Sequence, residues 1–68
     1  DLGLASAIVA SGCKPLRLEK SSNYVEFVFE HTRNVDGMIC QYWDNVLAVD
    51  ALTYFEAMAS LKNKIHNA

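Results

Sequence analysis

The chain has 68 residues, of which 51% are hydrophobic and 21% are charged, and its formal net charge at pH 7 is −2. This composition excludes a disordered chain, and the length allows a single domain, residues 1–68, with a small core and marginal stability of its own. Because six Lys and Arg residues stand against eight Asp and Glu residues, the charge argues against nucleic acid as a general partner.

The first predicted element is a helix over residues 1–11. Asp1 is a favourable N-cap, and Gly12 followed by Pro15 is typical of the end of a helix. Small residues throughout the segment would let this helix lie close to its neighbours. The stretch carries no basic residue before its apolar part, so we do not expect it to be an export signal.

Two strands are predicted next, over residues 15–20 and 24–30, because apolar and polar residues alternate in both segments. The short polar turn between them predicts an antiparallel hairpin. Its expected inner face consists of Leu16, Leu18, Val25, Phe27 and Phe29.

Two further helices follow, over residues 34–44 and 50–66. Asn34 and Asp50 are the expected N-caps. In the first of these helices, apolar residues recur at helical spacing, which places Val35, Met38, Ile39, Tyr42 and Trp43 on one face. The apolar link 46–49 between the two helices is extended and could form a short third strand.

The last helix is the element around which the chain is organised. Its apolar arc covers roughly half of the helical wheel, which is wider than the stripe of an ordinary surface helix. We therefore expect it to contact the hairpin and other helices together, or a second chain as well. The arc consists of Ala51, Leu52, Tyr54, Phe55, Met58, Ala59, Leu61 and Ile65.

The order α-β-β-α-α predicts an α+β fold, in which helices pack on one face of an antiparallel hairpin. The segments DLGLASAIVASG, YVEFVFE, Tyr42-Trp43 and VDALTYFEAMASLKNKI together resemble a family of short prokaryotic and viral proteins known only as a domain of unknown function. Asp44-Asn45-Val46 departs from the resemblance, because a polar turn with Gly is expected there. The resemblance implies a compact domain, sometimes in mobile-element genomes, and no activity, substrate or cofactor.

No motif for phosphate binding, dinucleotide binding or a nucleophile elbow is present. Cys13, Cys40, His31 and His66 lack the short spacings of a zinc site, so we expect no metal and no cofactor. The side chains of Glu30 and His31 would point to opposite faces if the strand continues through them, so we do not expect them to form a catalytic pair. Cys40 is expected to be a buried, inert thiol. We therefore expect no catalytic residue, and a protein that is not an enzyme.

The remaining signal is apolar surface in excess of what one copy would cover. It favours a non-catalytic, cytoplasmic interaction module that self-associates as a homodimer, and no apolar run is long enough to span a membrane. The alternative is a nucleic-acid-associated accessory protein of a mobile element, which follows from the resemblance and not from the residues. The candidate interface comprises Tyr24, Glu26, Val28 and Glu30 on the second strand, and Tyr54, Met58, Leu61 and Ile65 on the last helix.

Overall fold

The computed structural model describes all of residues 1–68 and confirms the predicted α+β fold. In chain order the elements are α1 (Leu2–Ala10), β1 (Arg17–Lys20), β2 (Val25–Val28), α2 (Arg33–Trp43) and α3 (Ala51–His66). β1 and β2 form a two-stranded antiparallel hairpin, and the helices pack on its apolar face. None of the helices has the length and apolar character needed to cross a lipid bilayer.

α1 and α3 begin at the N-caps that the sequence predicts. The Asp1 carboxylate accepts a hydrogen bond from the Leu4 N–H at 3.1 Å, and the Asp50 carboxylate accepts one from the Thr53 N–H at 2.9 Å. The Thr53 hydroxyl donates to the same Asp50 oxygen. These two bonds, the backbone bond first, hold the pKa of Asp50 below its ordinary range, because both favour the charged carboxylate.

α2 does not begin at Asn34, and that predicted cap is wrong. The chain is extended at Thr32, whose hydroxyl accepts from the Val35 N–H at 3.1 Å, so Asn34 already lies inside the first turn. A capping side chain must reach an N–H two or three residues ahead, and Thr32 is the residue from which an extended backbone makes that possible.

The link between α2 and α3 is not a strand. The N–H groups of Val46 and Leu47 both donate to the Gln41 carbonyl, at 3.0 and 3.2 Å, so they are not available for a sheet ladder. Asn45 has φ 61°, the left-handed conformation that usually requires Gly. Since Asn tolerates this conformation better than other residues with side chains, it fills the place of the expected Gly.

Each strand of the hairpin has four residues, so both are shorter than the predicted 15–20 and 24–30. Leu18 lies opposite Phe27 in the register, and both side chains are half-buried on the inner face. β1 cannot extend back through Pro15 as a paired strand, because Pro has no N–H to donate.

The core lies between α1 and α3, which make the most extensive contact in the molecule. Small residues allow the two helices to approach closely. The Tyr54 hydroxyl of α3 donates to the Gly3 carbonyl at 3.3 Å, and a Cβ at Gly3 would lie 3.3 Å from this hydroxyl and 2.7 Å from the hydroxyl of Tyr42 in α2. The buried residues are Ala5, Ser6, Ala7, Ile8, Val35, Ala57 and Leu61.

Several apolar residues that were expected in the core lie on the surface instead. Phe55 is 69% exposed, Trp43 62% and Leu16 61%, and Cys40 is also exposed. For Phe55 the reason is geometric: α3 turns one side of its wide apolar arc towards α1, and no other element is left to cover the remainder. The predicted buried thiol at Cys40 is likewise wrong, because α2 turns that position to solvent.

Candidate protein-interaction surfaces

The four residues of the predicted interface on the second strand lie at the surface or close to it. Tyr24, Glu26 and Glu30 are exposed, and Val28 is half-buried. The Tyr24 carbonyl accepts from the Ser21 N–H at 2.9 Å, and the Val28 carbonyl accepts from the Leu16 N–H at 2.6 Å. The backbone carbonyls of Tyr24, just before β2, and of Val28, its last residue, are therefore engaged within the hairpin.

The four predicted interface residues on α3 face inward. Tyr54, Met58 and Ile65 are half-buried, and Leu61 is only 1% exposed. Leu61 is thus a core residue, and its place in the predicted interface is wrong, because it has no surface to offer a partner. It lies on the side of α3 that covers α1.

A different face of α3 is uncovered, and we call it the α3 stripe: Leu52, Phe55, Ala59, Lys62 and His66. Its members are spaced 3, 4, 3 and 4 residues apart, so they form one seam along the helix, and all five are exposed. Leu52 is 65% exposed and Phe55 69% exposed. The stripe is apolar in its first half and basic in its second half.

The apolar pattern of α3 predicts that Leu52 and Phe55 belong to one broad buried arc. The width of the arc indicates that part of it stays uncovered, since one packing partner covers a narrower stripe. Which part of the arc stays open could not be read from the wheel, because it depends on the direction from which α1 approaches.

The whole molecule exposes more surface than its size requires. Its accessible surface is 4915 Å², whereas a folded monomer of 7.6 kDa is expected to expose roughly 4300 Å². The excess agrees with the small number of buried residues and with the exposed apolar side chains of the α3 stripe.

A second feature is an open apolar cavity of about 330 Å³ between β2 and the helices, which we call the β2 cleft. Every helix contributes to it. Its walls include Ile8 of α1, Val25 and Phe27 of β2, Ile39 of α2 and Ile65 of α3.

The charges around the β2 cleft are one-sided. Four of the eight acidic residues of the chain line it, and none of the six Lys and Arg residues does. These acidic residues are Asp1, Glu26, Glu30 and Asp36. The sequence gives no sign of this cluster, because its members come from the N-cap of α1, from β2, from the segment after β2 and from α2.

His31 is the only residue with a basic side chain that lines the cleft. Its Nε2 lies 2.8 Å from a carboxylate oxygen of Asp36, and both side chains are largely exposed. Asp36 stands in the first turn of α2, where the helix dipole favours negative charge. The pairing considered from the sequence, His31 with Glu30, is therefore replaced by an exposed pair of His31 and Asp36 at the start of α2.

The structure contains no group of three His, Cys, Asp or Glu side chains placed to hold a metal ion. Cys13 and Cys40 are both free thiols, the first half-buried and the second exposed.

One family model matches the chain over residues 1–67, and its description is "Domain of unknown function (DUF5659)". No curated protein and no solved structure matches the chain. The match confirms the resemblance to an uncharacterised domain-of-unknown-function family.

Proposed function

The chain belongs to the DUF5659 family, whose description names no activity, and we propose that it is a small, non-catalytic interaction module that self-associates as a homodimer. The observation that carries the proposal is the α3 stripe. Leu52 and Phe55 project large apolar side chains into solvent, one turn apart on the same face of the longest helix. Exposed apolar groups that form a continuous patch are typical of protein contact sites.

The proposed dimer pairs two copies of α3 in antiparallel orientation, with the two-fold axis beside Ala59. In this arrangement the apolar half of each stripe lies on the basic half of the other. Phe55 meets the aliphatic stem and ammonium group of the partner's Lys62, and Leu52 meets the ring of the partner's His66. A small residue at the centre lets the helices approach, and a cation above an aromatic ring is attractive.

The expected dimer is weak. A helix of 16 residues is about 24 Å long, so a single helix pair buries roughly 800–1000 Å² in total, at the lower limit of specific interfaces. We therefore expect dissociation in the micromolar range or above, where monomer and dimer exchange reversibly.

The charge of the second strand argues against pairing of two β2 edges. Such a contact would bring Glu26 and Glu30 of one copy close to the same residues of the other, and like charges across a pair of strands are destabilising. The α3 stripe has no carboxylate and so carries no such penalty.

Sedimentation velocity over a range of protein concentrations tests the proposal. The parent should shift from monomer to dimer, and Phe55→Ser should remain a monomer at every concentration. Leu16→Ser is the matched control, because Leu16 is 61% exposed but lies outside the α3 stripe, and this variant should dimerise like the parent. Circular dichroism checks that both variants are folded.

A parent that stays monomeric up to about millimolar concentration, beyond the weak end of specific association, contradicts self-association. Equal loss of the dimer in the Leu16 and Phe55 variants contradicts the α3 stripe as its site.

A further inference from the structure

We propose that the β2 cleft binds an extended peptide segment of a partner protein, in which apolar and basic side chains alternate. The segment would add to the hairpin as a third strand beside β2. This inference goes beyond self-association and does not depend on it, because the β2 cleft and the α3 stripe use different residues.

The first step concerns the backbone of β2. The carbonyls of Tyr24 and Val28 both point to β1, since they accept hydrogen bonds from that side of the hairpin. The backbone direction alternates along a strand, so Glu26 also faces β1, whereas the N–H and C=O groups of Val25 and Phe27 face away from it. The sheet has only two strands, so this edge of β2 is open.

An open edge is a template for an incoming strand, and peptide recognition by strand addition uses these main-chain groups. β2 has four residues, of which two present outward-facing backbone groups. A partner segment of about seven residues is long enough to pair with β2 and to extend past both of its ends.

The second step concerns the side chains that would point inward. The β2 cleft lies beside the open edge, and its walls are mostly apolar, with Phe27, Ile39 and Ile65 contributed by three different elements. In a strand, every second side chain points to the same face. The inward residues of the partner segment should therefore be apolar, and the volume of about 330 Å³ admits only a few of them.

The third step concerns the side chains that would point outward. On this side of β2 the exposed residues include Glu26 and Glu30, and neither carboxylate has an ion-pair partner within the chain. Lys or Arg residues at the alternate positions of an added strand would lie next to them. Opposite charges on neighbouring strands are stabilising, so the charge selects a basic partner.

The acidic residues at the cleft favour the proposed basic peptide over other occupants. A second β2 would place its own Glu26 and Glu30 beside these carboxylates, and like charges repel. A nucleic acid would bring phosphates to a cleft whose four carboxylates include these two. Of these three occupants, only a positively charged segment with apolar side chains would be stabilised both by the apolar walls and by the acidic residues of the cleft.

The probe is a synthetic seven-residue peptide, blocked at both ends, that alternates lysine and valine. Two control peptides isolate its features: one has the same composition, with all lysines before all valines, and the other has glutamate in place of lysine. Binding is followed by amide NMR at a protein concentration at which the chain is monomeric. We expect saturable binding of the alternating peptide, at least tenfold weaker binding of the block peptide, and none of the acidic peptide.

Hydrogen exchange locates the site. In the complex the amides of Val25 and Phe27 should exchange several-fold more slowly than in the free protein, because they gain acceptors. The amides of Glu26 and Val28, which face β1, should change little. Two further versions of the peptide carry N-methyl groups on opposite edges of the strand, which removes the N–H donors of that edge. Their affinities should differ, since only one edge faces β2.

Charge variants complete the test. The double variant Glu26→Gln, Glu30→Gln should bind the alternating peptide roughly three- to tenfold more weakly, which is the effect expected for two exposed ion pairs. Glu56→Gln is the control, because Glu56 is an exposed carboxylate on α3 and does not line the cleft, and its affinity should equal that of the parent.

Equal affinity for the block peptide and the alternating peptide would overturn the proposal, because it would mean attraction by charge alone. Chemical shift changes that map to the α3 stripe instead of the walls of the β2 cleft, or equal weakening in the Glu56 variant, would also overturn it. So would unchanged exchange at Val25 and Phe27 in a saturated complex.

Discussion

Leu61→Ala should remove a large part of the stability of the domain. Leu61 is 1% exposed and is the largest fully buried side chain, so the substitution deletes apolar atoms from the core. The lost transfer free energy and the cavity left behind together amount to about 3 kcal/mol. A chain of 68 residues has a total free energy of unfolding of roughly 3–10 kcal/mol, so this variant should lose at least about a third of it.

Urea unfolding followed by far-ultraviolet circular dichroism measures the effect. With an m-value of about 1 kcal/mol/M, the midpoint should fall by roughly 3 M. Phe55→Ala is the matched control, because Phe55 also belongs to the apolar arc of α3 but is 69% exposed. At protein concentrations below dimerisation, its free energy of unfolding should change by less than about 1 kcal/mol. Equal losses in the two variants would refute the orientation of α3 described above.

Two further predictions concern glycine substitutions in α1 and α2, and the charge of the Asp50 cap. Gly3→Ala should cancel most or all of the roughly 1 kcal/mol that Ala gains over Gly in a helix, because its Cβ would lie 2.7 Å from the Tyr42 hydroxyl and that side chain would have to shift. Gly37→Ala, in the open interior of α2, should stabilise it by about 0.5–1 kcal/mol, and thermal melts that rank the two variants in the other order would contradict the close approach at Gly3. The lowered pKa of Asp50 means that its charge stabilises the folded state above the ordinary Asp pKa, and that this contribution is lost as the pH falls through the folded pKa. Asp50→Asn, which keeps a capping side chain without the charge, should therefore melt below the parent at pH 7 and with it near pH 2; a gap that persists in acid would contradict this origin.

The element order and the caps of α1 and α3 were predictable from the sequence, because these features depend on residues close together in the chain. Asp50 caps α3 through an N–H three residues away, and Gly12 takes the left-handed conformation with φ 104° that ends α1. The fold class follows from the same local periodicities.

The division of the α3 arc between core and surface was not predictable. Leu61 and Phe55 are both apolar and both lie on the predicted arc, yet one is buried and the other is among the most exposed large side chains. The difference comes from the position of α1, which is a long-range property of the fold. A short chain has too few elements to cover both sides of a wide apolar helix.

The β2 cleft illustrates a second limit. Glu26 and Glu30 were predicted at the surface, but Asp1 and Asp36 join them only because α1 and α2 meet beside β2. The pairing of His31 with Asp36 likewise depends on the turn that starts α2. The sequence contains these charges, and the fold gathers them at one place.

The most direct measurement of the central claim is an isotope-filtered NOE experiment on a mixed dimer, in which one copy is labelled with ¹³C and the other is not. The antiparallel pairing of two α3 stripes predicts intermolecular contacts between the Phe55 ring and the Lys62 side chain of the partner, and between Leu52 and the partner's His66. Intermolecular contacts that involve Tyr24 or Val28 instead, at a concentration at which the dimer is populated, would contradict the account.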